Sequence, residues 1–155
     1  MNVLGVDPGT SSPAASLVER RPVGWHLLSS PVLHSLDDLV DHLCELYHRA
    51  DVHCVCCEDV SWTGAAGAIE AYRATDIKLA VGAAMQFAKL KRVPFVPVRP
   101  QTWHKNFGVK GAKAKERARE MLRRRCTGIP KVFGLNRSDA ACIAIAGAGA
   151  MGRQM

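Results

Sequence analysis

The chain opens with a short run of apolar residues, NVLGVD (2–7), which predicts a buried strand ended by Pro8-Gly9. Two weaker strand patterns follow, Ala14–Val18 and Trp25–Val32, with Arg21-Pro22-Val23-Gly24 as the turn between them. Together the three predict an antiparallel meander. The period then changes. Leu36, Leu39, Val40, Leu43, Leu46 and Tyr47 recur at helical spacing, with Ser35 as N-cap and Asp37 and Asp38 at the positive end of the helix dipole. Val52 to Glu58 reads as another short strand that, like the first, finishes on a carboxylate.

A long helix rich in Ala and Gly is predicted from Gly64 to about Lys91. It is followed by VPFVPV (93–98), whose two prolines suit an edge strand. PQTWHK (100–105) starts a short helix with proline in its first turn. Gly108 and Gly111 interrupt the chain before a basic helix over 112–125, and a last helix is predicted over 139–150, capped by Ser138 or Asn136. The expected architecture is α/β: a mixed five-stranded sheet with helices on both faces, in one domain spanning 1–155.

Charge sharpens this picture. Residues 1–60 carry three Lys/Arg and nine Asp/Glu, whereas residues 61–155 carry eighteen and five. Lys105 to Arg125 alone holds nine basic and two acidic residues, an excess equal to the chain's net charge of +7. Such a block is either a solvated helix face or a polyanion-binding segment, and this density favours nucleic acid. No apolar run approaches the ~20 residues of a membrane span. Met1-Asn2 leads straight into a strand with no signal-peptide layout, so a cytoplasmic protein is expected. The six cysteines (44, 54, 56, 57, 126, 142) then read as reduced thiols. A zinc site from His53, Cys54, Cys56 and Cys57 lacks a second ligand pair at the usual spacing.

The candidate chemistry lies in three carboxylates at the ends of elements. Asp7 ends the first strand, Glu58 the fourth, and Asp139 begins the last helix. If strands one and four run parallel side by side, Asp7 and Glu58 share one edge. Clustered carboxylates repel unless a cation sits among them, and an all-oxygen set suits Mg²⁺ or Mn²⁺. The plainer alternative makes Asp7 a turn residue and Asp139 a helix cap. Glu58 is harder to dismiss, because Glu is a poor strand residue.

The stretches GVDPGT (5–10), CVCCEDV (54–60), VPVRPQTWHKNFGVKGAKAKERA (96–118) and SDAACIAIA (138–146) together resemble, in order and over about residues 2–150, the RuvC family of Holliday junction resolvases. The resemblance implies an RNase H-like fold and a homodimer that cuts four-way DNA junctions with a divalent metal. It makes Asp7, Glu58 and Asp139 the catalytic and metal-binding acids, with Asp7 bridging two Mg²⁺ ions and Mn²⁺ a possible substitute. The family's usual fourth acid falls on Asn136, an oxygen ligand without charge. In another register Asp139 takes that place and Cys142 the last one. Lys105, Lys110, Lys113, Lys115, Arg117 and Arg119 are the expected phosphate contacts. Trp62 either stacks on an unpaired base or packs in the core. Trp103 reads as packing, and Tyr72 and Arg73 are further candidate DNA contacts.

A two-fold dimer matches a roughly two-fold junction, and the long Ala/Gly helix is its expected interface, unless that face packs on the sheet. The opening motif also resembles the phosphate loop of actin-like sugar kinases, but their second Asp-Gly loop is absent. Two further readings stay open: a nuclease of wider branched-DNA range, flaps and three-way branches included, and a branched-DNA-binding protein with a weakened site.

Overall fold

The computed structural model describes residues 1–9, 12–59, 68–109, 111 and 113–151, with the side chains of 68–73 excepted. Strands β1 (Asn2–Asp7), β2 (Ala14–Arg21) and β3 (Gly24–Ser29) form the predicted antiparallel meander. Helix α1 (Leu36–Arg49) is capped as expected: the Ser35 hydroxyl accepts from the Asp38 N–H at 3.1 Å. There follow β4 (Cys54–Glu58), α2 (Ala68–Lys91), β5 (Phe95–Val98), α3 (Pro100–Asn106), α4 (Ala114–Arg125), β6 (Cys126–Thr127) and α5 (Leu135–Met151). No helix among the described residues is long and apolar enough to cross a membrane.

The sheet order is β5-β4-β1-β2-β3-β6, with β1, β4 and β5 parallel to one another. The proline-bearing β5 lies at an edge, as its sequence requires. Among the described residues the sheet has six strands rather than five. Cys126 and Thr127 pair in parallel with Trp25 and His26, and a strand of two residues has no alternation to detect.

Strand alternation divides the core into two layers. Leu4, Val6, Val55 and Cys57 face α1 and α2, and meet Leu39, Leu43, Ala80, Ala84 and Phe87 there. Val3, Cys54 and Cys56 face the other way, toward Trp103, Leu122 and the small residues of α5. The Ala-rich face of α2 (Ala80, Ala84, Ala88) is therefore turned to the sheet, while Leu79, Met85 and Leu90 remain exposed.

Helix α5 packs across β1, β2 and β4. It sits so close to β1 that a Cβ at Gly5 would stand 1.9 Å from the Ala140 carbonyl oxygen. The run of Ala and Gly in α5 is what permits this approach. The helix also starts earlier than predicted, at Leu135. Ser138 is consequently not a cap: its hydroxyl donates to the Gly134 carbonyl within the helix, at 3.1 Å. Asp139 therefore stands in the second turn, over the sheet, rather than at the helix start.

All the cysteines are free thiols. Five are buried and Cys44 is exposed. His53 turns away from its neighbouring thiols, accepting from the Asn2 N–H and lying 3.5 Å from Asp51.

Candidate active site

The parallel register of β1 and β4 pairs Val6 with Cys57, so the next residues, Asp7 and Glu58, emerge together at the carboxyl edge of the sheet. Both follow the alternation that points Val3, Cys54 and Cys56 toward α5. Asp139 comes down on the same face from α5. Asp7 is buried, and one of its oxygens accepts from the Gly9 N–H at 2.9 Å, which closes the Asp-Pro-Gly turn. The turn bond thus leaves Asp7 at the sheet edge beside Glu58.

Burial, chiefly, and then the charge of Glu58 push the Asp7 carboxyl up to about 7. Asp139 adds to the rise, while the Gly9 N–H and Lys115 oppose it.

Asp139 is almost wholly buried, at 1 % exposure. One oxygen lies 2.7 Å from the Lys115 ammonium, and the other, Oδ1, has no hydrogen-bond partner among the described residues. Burial raises the Asp139 carboxyl above its ordinary value, outweighing the nearby ammonium, and Glu58 contributes to the rise. At Lys115 burial works against the charge, but the hydrogen bond and charge of Asp139 overcome it, and the ammonium titrates above its ordinary range. The two partners move in the same direction because only Asp139 is deeply enclosed. Glu58 is held differently: the buried indole of Trp103 donates Nε1–H to its Oε1 at 3.0 Å.

These residues fit a divalent cation. The donors are carboxylate oxygens, one of them buried without a partner, and a side-chain ammonium already stands among them as the compensating charge. In this arrangement no three His, Cys, Asp or Glu side chains among the described residues converge on one point. Asn136 lies half-buried one turn before Asp139 and lines a cavity of about 340 Å³ with Pro13, Ala14 and Leu33. It makes no hydrogen bond to the acids among the described residues. Cys142, the other reading of the last ligand, lies in the core, where burial and the charge of Asp139 hold its thiol well above the ordinary range. That environment makes it a poor ligand.

The basic segment divides into two kinds of residue. Lys105 and Lys113 are exposed, as is Arg117. Arg119, expected to meet phosphate, is half-buried and donates to the Phe133 carbonyl at 3.3 Å. Arg123 donates to the carbonyls of Pro130 and Lys131, and Arg125 to that of Asn106. These arginines pin the 128–134 connection and α3, so the positive charge here is partly structural. Trp62 and Lys110 lie outside the described residues. Tyr72 and Arg73 are placed on the first turns of α2, their side chains undescribed.

Sequence reasoning missed two features of the site. The pairing of Lys115 with Asp139 and the Trp103 bond to Glu58 both join elements distant in the chain. Hydrophobic periodicity carries no signal for such contacts.

No protein-family profile and no curated protein sequence matches the chain. Solved structures do. Thermus thermophilus RuvC in complex with Holliday junction substrate superposes with a TM-score of 0.78 at 21 % identity, covering 98 % of this chain and 97 % of that one. A further T. thermophilus RuvC structure gives 0.73 at 22 % identity, with the same coverage. The yeast mitochondrial Holliday junction resolvase Ydc2 gives 0.58 at 14 % identity, covering 93 % of this chain and 76 % of the other. The fold is RNase H-like. Within that class it is the fold of RuvC, matched over nearly the whole chain.

Proposed function

We propose that this chain is a metal-dependent endodeoxyribonuclease that resolves four-way DNA junctions by paired symmetric nicks, in recombination and repair. The observation that carries the reading is the placing of Asp7 beside Glu58 at one sheet edge, with Asp139 over the same face from α5, in a fold shared with a RuvC solved on a Holliday junction. Asp7, Glu58 and Asp139 would hold Mg²⁺, or Mn²⁺ in its place, with Asn136 as an uncharged fourth ligand. The chemistry that two such ions supply is activation of water and neutralisation of charge on the scissile phosphate and its leaving oxygen.

The protein's own groups do the rest. The turn N–H of Gly9 orients Asp7, and the Trp103 indole orients Glu58. Lys115 neutralises Asp139, and its half-exposed side chain would be free to reach phosphate if a divalent ion took its place. Lys105, Lys113 and Arg117, with Lys110, hold the DNA backbone. Trp62, Tyr72 and Arg73, near the start of α2, supply base and strand contacts on this reading.

The partner is a second copy, because two symmetric nicks need two sites. Its support is an apolar groove of about 360 Å³ between α1 and α2, lined by Val40, Leu43, Tyr47, Phe87 and Leu90. The exposed Leu79 and Met85 extend the apolar surface of α2.

The test is cleavage of a labelled synthetic four-way junction with Mg²⁺, beside a linear duplex and a flap, with Asp7→Asn as control. Paired symmetric nicks confined to the junction and absent in the variant support the proposal. Equal cutting of flaps makes the chain a broader debranching nuclease. Junction binding with no cutting makes it a binding protein, the outcome that an uncharged Asn136 in the fourth position would favour.

A further inference from the structure

The end of β4 is fixed by its backbone. Glu58 pairs in register with Val98, and the Asp59 N–H donates to the Val98 carbonyl at 2.9 Å. What remains free at Glu58 is its side chain, with three rotatable bonds. From Val98 the chain passes directly into α3, whose Trp103 is 2 % exposed and packed in the core layer with Val98, Phe107 and Val109. The rigid indole brings its one donor to Glu58 Oε1 at 3.0 Å. The second oxygen, Oε2, has no hydrogen bond or ion pair among the described residues.

We propose that Trp103 is a positioning residue for the metal site: its indole N–H holds one oxygen of Glu58, so that the other is presented to a divalent ion in a fixed direction. This rests on the nuclease reading above. A buried Trp needs an acceptor, and any backbone carbonyl would satisfy it. Here the acceptor is a site carboxylate whose backbone is already pinned, so the bond selects one carboxylate orientation in advance of ligand. Partners that orient ligating groups in this way typically contribute ~10–100-fold to metal affinity or activity.

The experiment uses the full chain and two readouts. Trp103→Phe keeps the ring and removes the donor. With folding verified by circular dichroism and thermal melting, it is expected to bind Mn²⁺ ~10–100-fold more weakly by calorimetry. Its kcat on the junction should fall and recover in part as Mn²⁺ is raised, while junction affinity in EDTA stays at the wild-type value. In ¹⁵N-labelled wild type, titration with Mg²⁺ should shift the Trp103 indole resonance saturably and leave that of Trp25, on β3, in place. Wild-type Mn²⁺ affinity in a folded Trp103→Phe overturns the proposal. Should that variant not fold, an indole resonance unmoved by saturating Mg²⁺ overturns it equally. If wild type itself neither binds Mn²⁺ nor cuts the junction, the nuclease reading falls and this proposal with it. If wild type does both and Trp103→Phe matches it, only the role of Trp103 is lost.

Discussion

Asp7→Asn removes a charge that the fold keeps in an unfavourable place. The carboxyl is buried beside Glu58 and titrates at about 7 rather than at its ordinary 3.8. The native state therefore holds the proton across a window in which the unfolded chain has released it. Stability falls as pH rises through that window, and the loss is complete above about 7. At about 1.4 kcal/mol per pH unit, the raised Asp7 carboxyl costs the metal-free protein about 4 kcal/mol at pH 8, where it is ionised, and about 2 kcal/mol at pH 5, where the fold keeps it protonated. Asn keeps an oxygen for the Gly9 N–H and turns an NH₂ toward the remaining acids. In EDTA the variant should be the more stable protein at pH 8, its melting temperature higher by roughly 10 °C, and the gap should shrink by about half at pH 5. Mg²⁺ should raise the melting temperature of wild type and leave that of the variant in place. Differential scanning calorimetry at the two pH values, with and without Mg²⁺, reads all of this. A variant no more stable than wild type at pH 8, or one stabilised equally at both pH values, would refute the electrostatic account of the site.

Other outcomes follow from the same geometry. Lys115→Met removes the ammonium that competes for Asp139 and should tighten Mn²⁺ binding about fivefold, a modest gain because Lys115 is half exposed; calorimetry showing weaker binding would mean that the ammonium is no competitor. Lys105→Ala with Lys113→Ala should weaken junction binding uniformly across sequences and reduce the slope of log Kd against log salt by about 0.9 per lost phosphate contact. Arg123→Ala should instead lower the melting temperature and leave that slope unchanged, because its guanidinium is engaged with the Pro130 and Lys131 carbonyls. Gly5→Ala should destabilise by about 3 kcal/mol in urea unfolding, since its methyl would meet the Ala140 carbonyl of α5.

The sheet was legible because its strands obey local rules. The meander, the crossover through α1 and the edge position of β5 all follow from alternation, turn residues and proline. Their consequence, Asp7 beside Glu58 on one edge, needs only parallel pairing. The place of Asp139 in the last helix was misread by about one turn, because Ser138 resembles a cap and is instead bonded inside the helix. The basic segment was legible as charge alone. Composition cannot separate Lys105, which faces solvent, from Arg119 or Arg123, which are anchored to carbonyls of a neighbouring loop. Trp103 read correctly as core, yet its N–H was invisible to any pattern, since where an indole donor ends up depends on an acceptor 45 residues away.

The acids of the site come from the first strand, the fourth strand and the last helix. Asp7 enters a local hairpin with β2 that can form as soon as the first twenty or so residues are available. Glu58 joins it only when the crossover through α1 has closed, and Asp139 only when α5 has docked on β1. Closing those long loops is the slow part of assembling such a topology. A nascent or partly unfolded chain therefore carries the basic segment but not the acidic cluster. On the nuclease reading proposed above, scission would be reserved for the molecule whose last helix is in place.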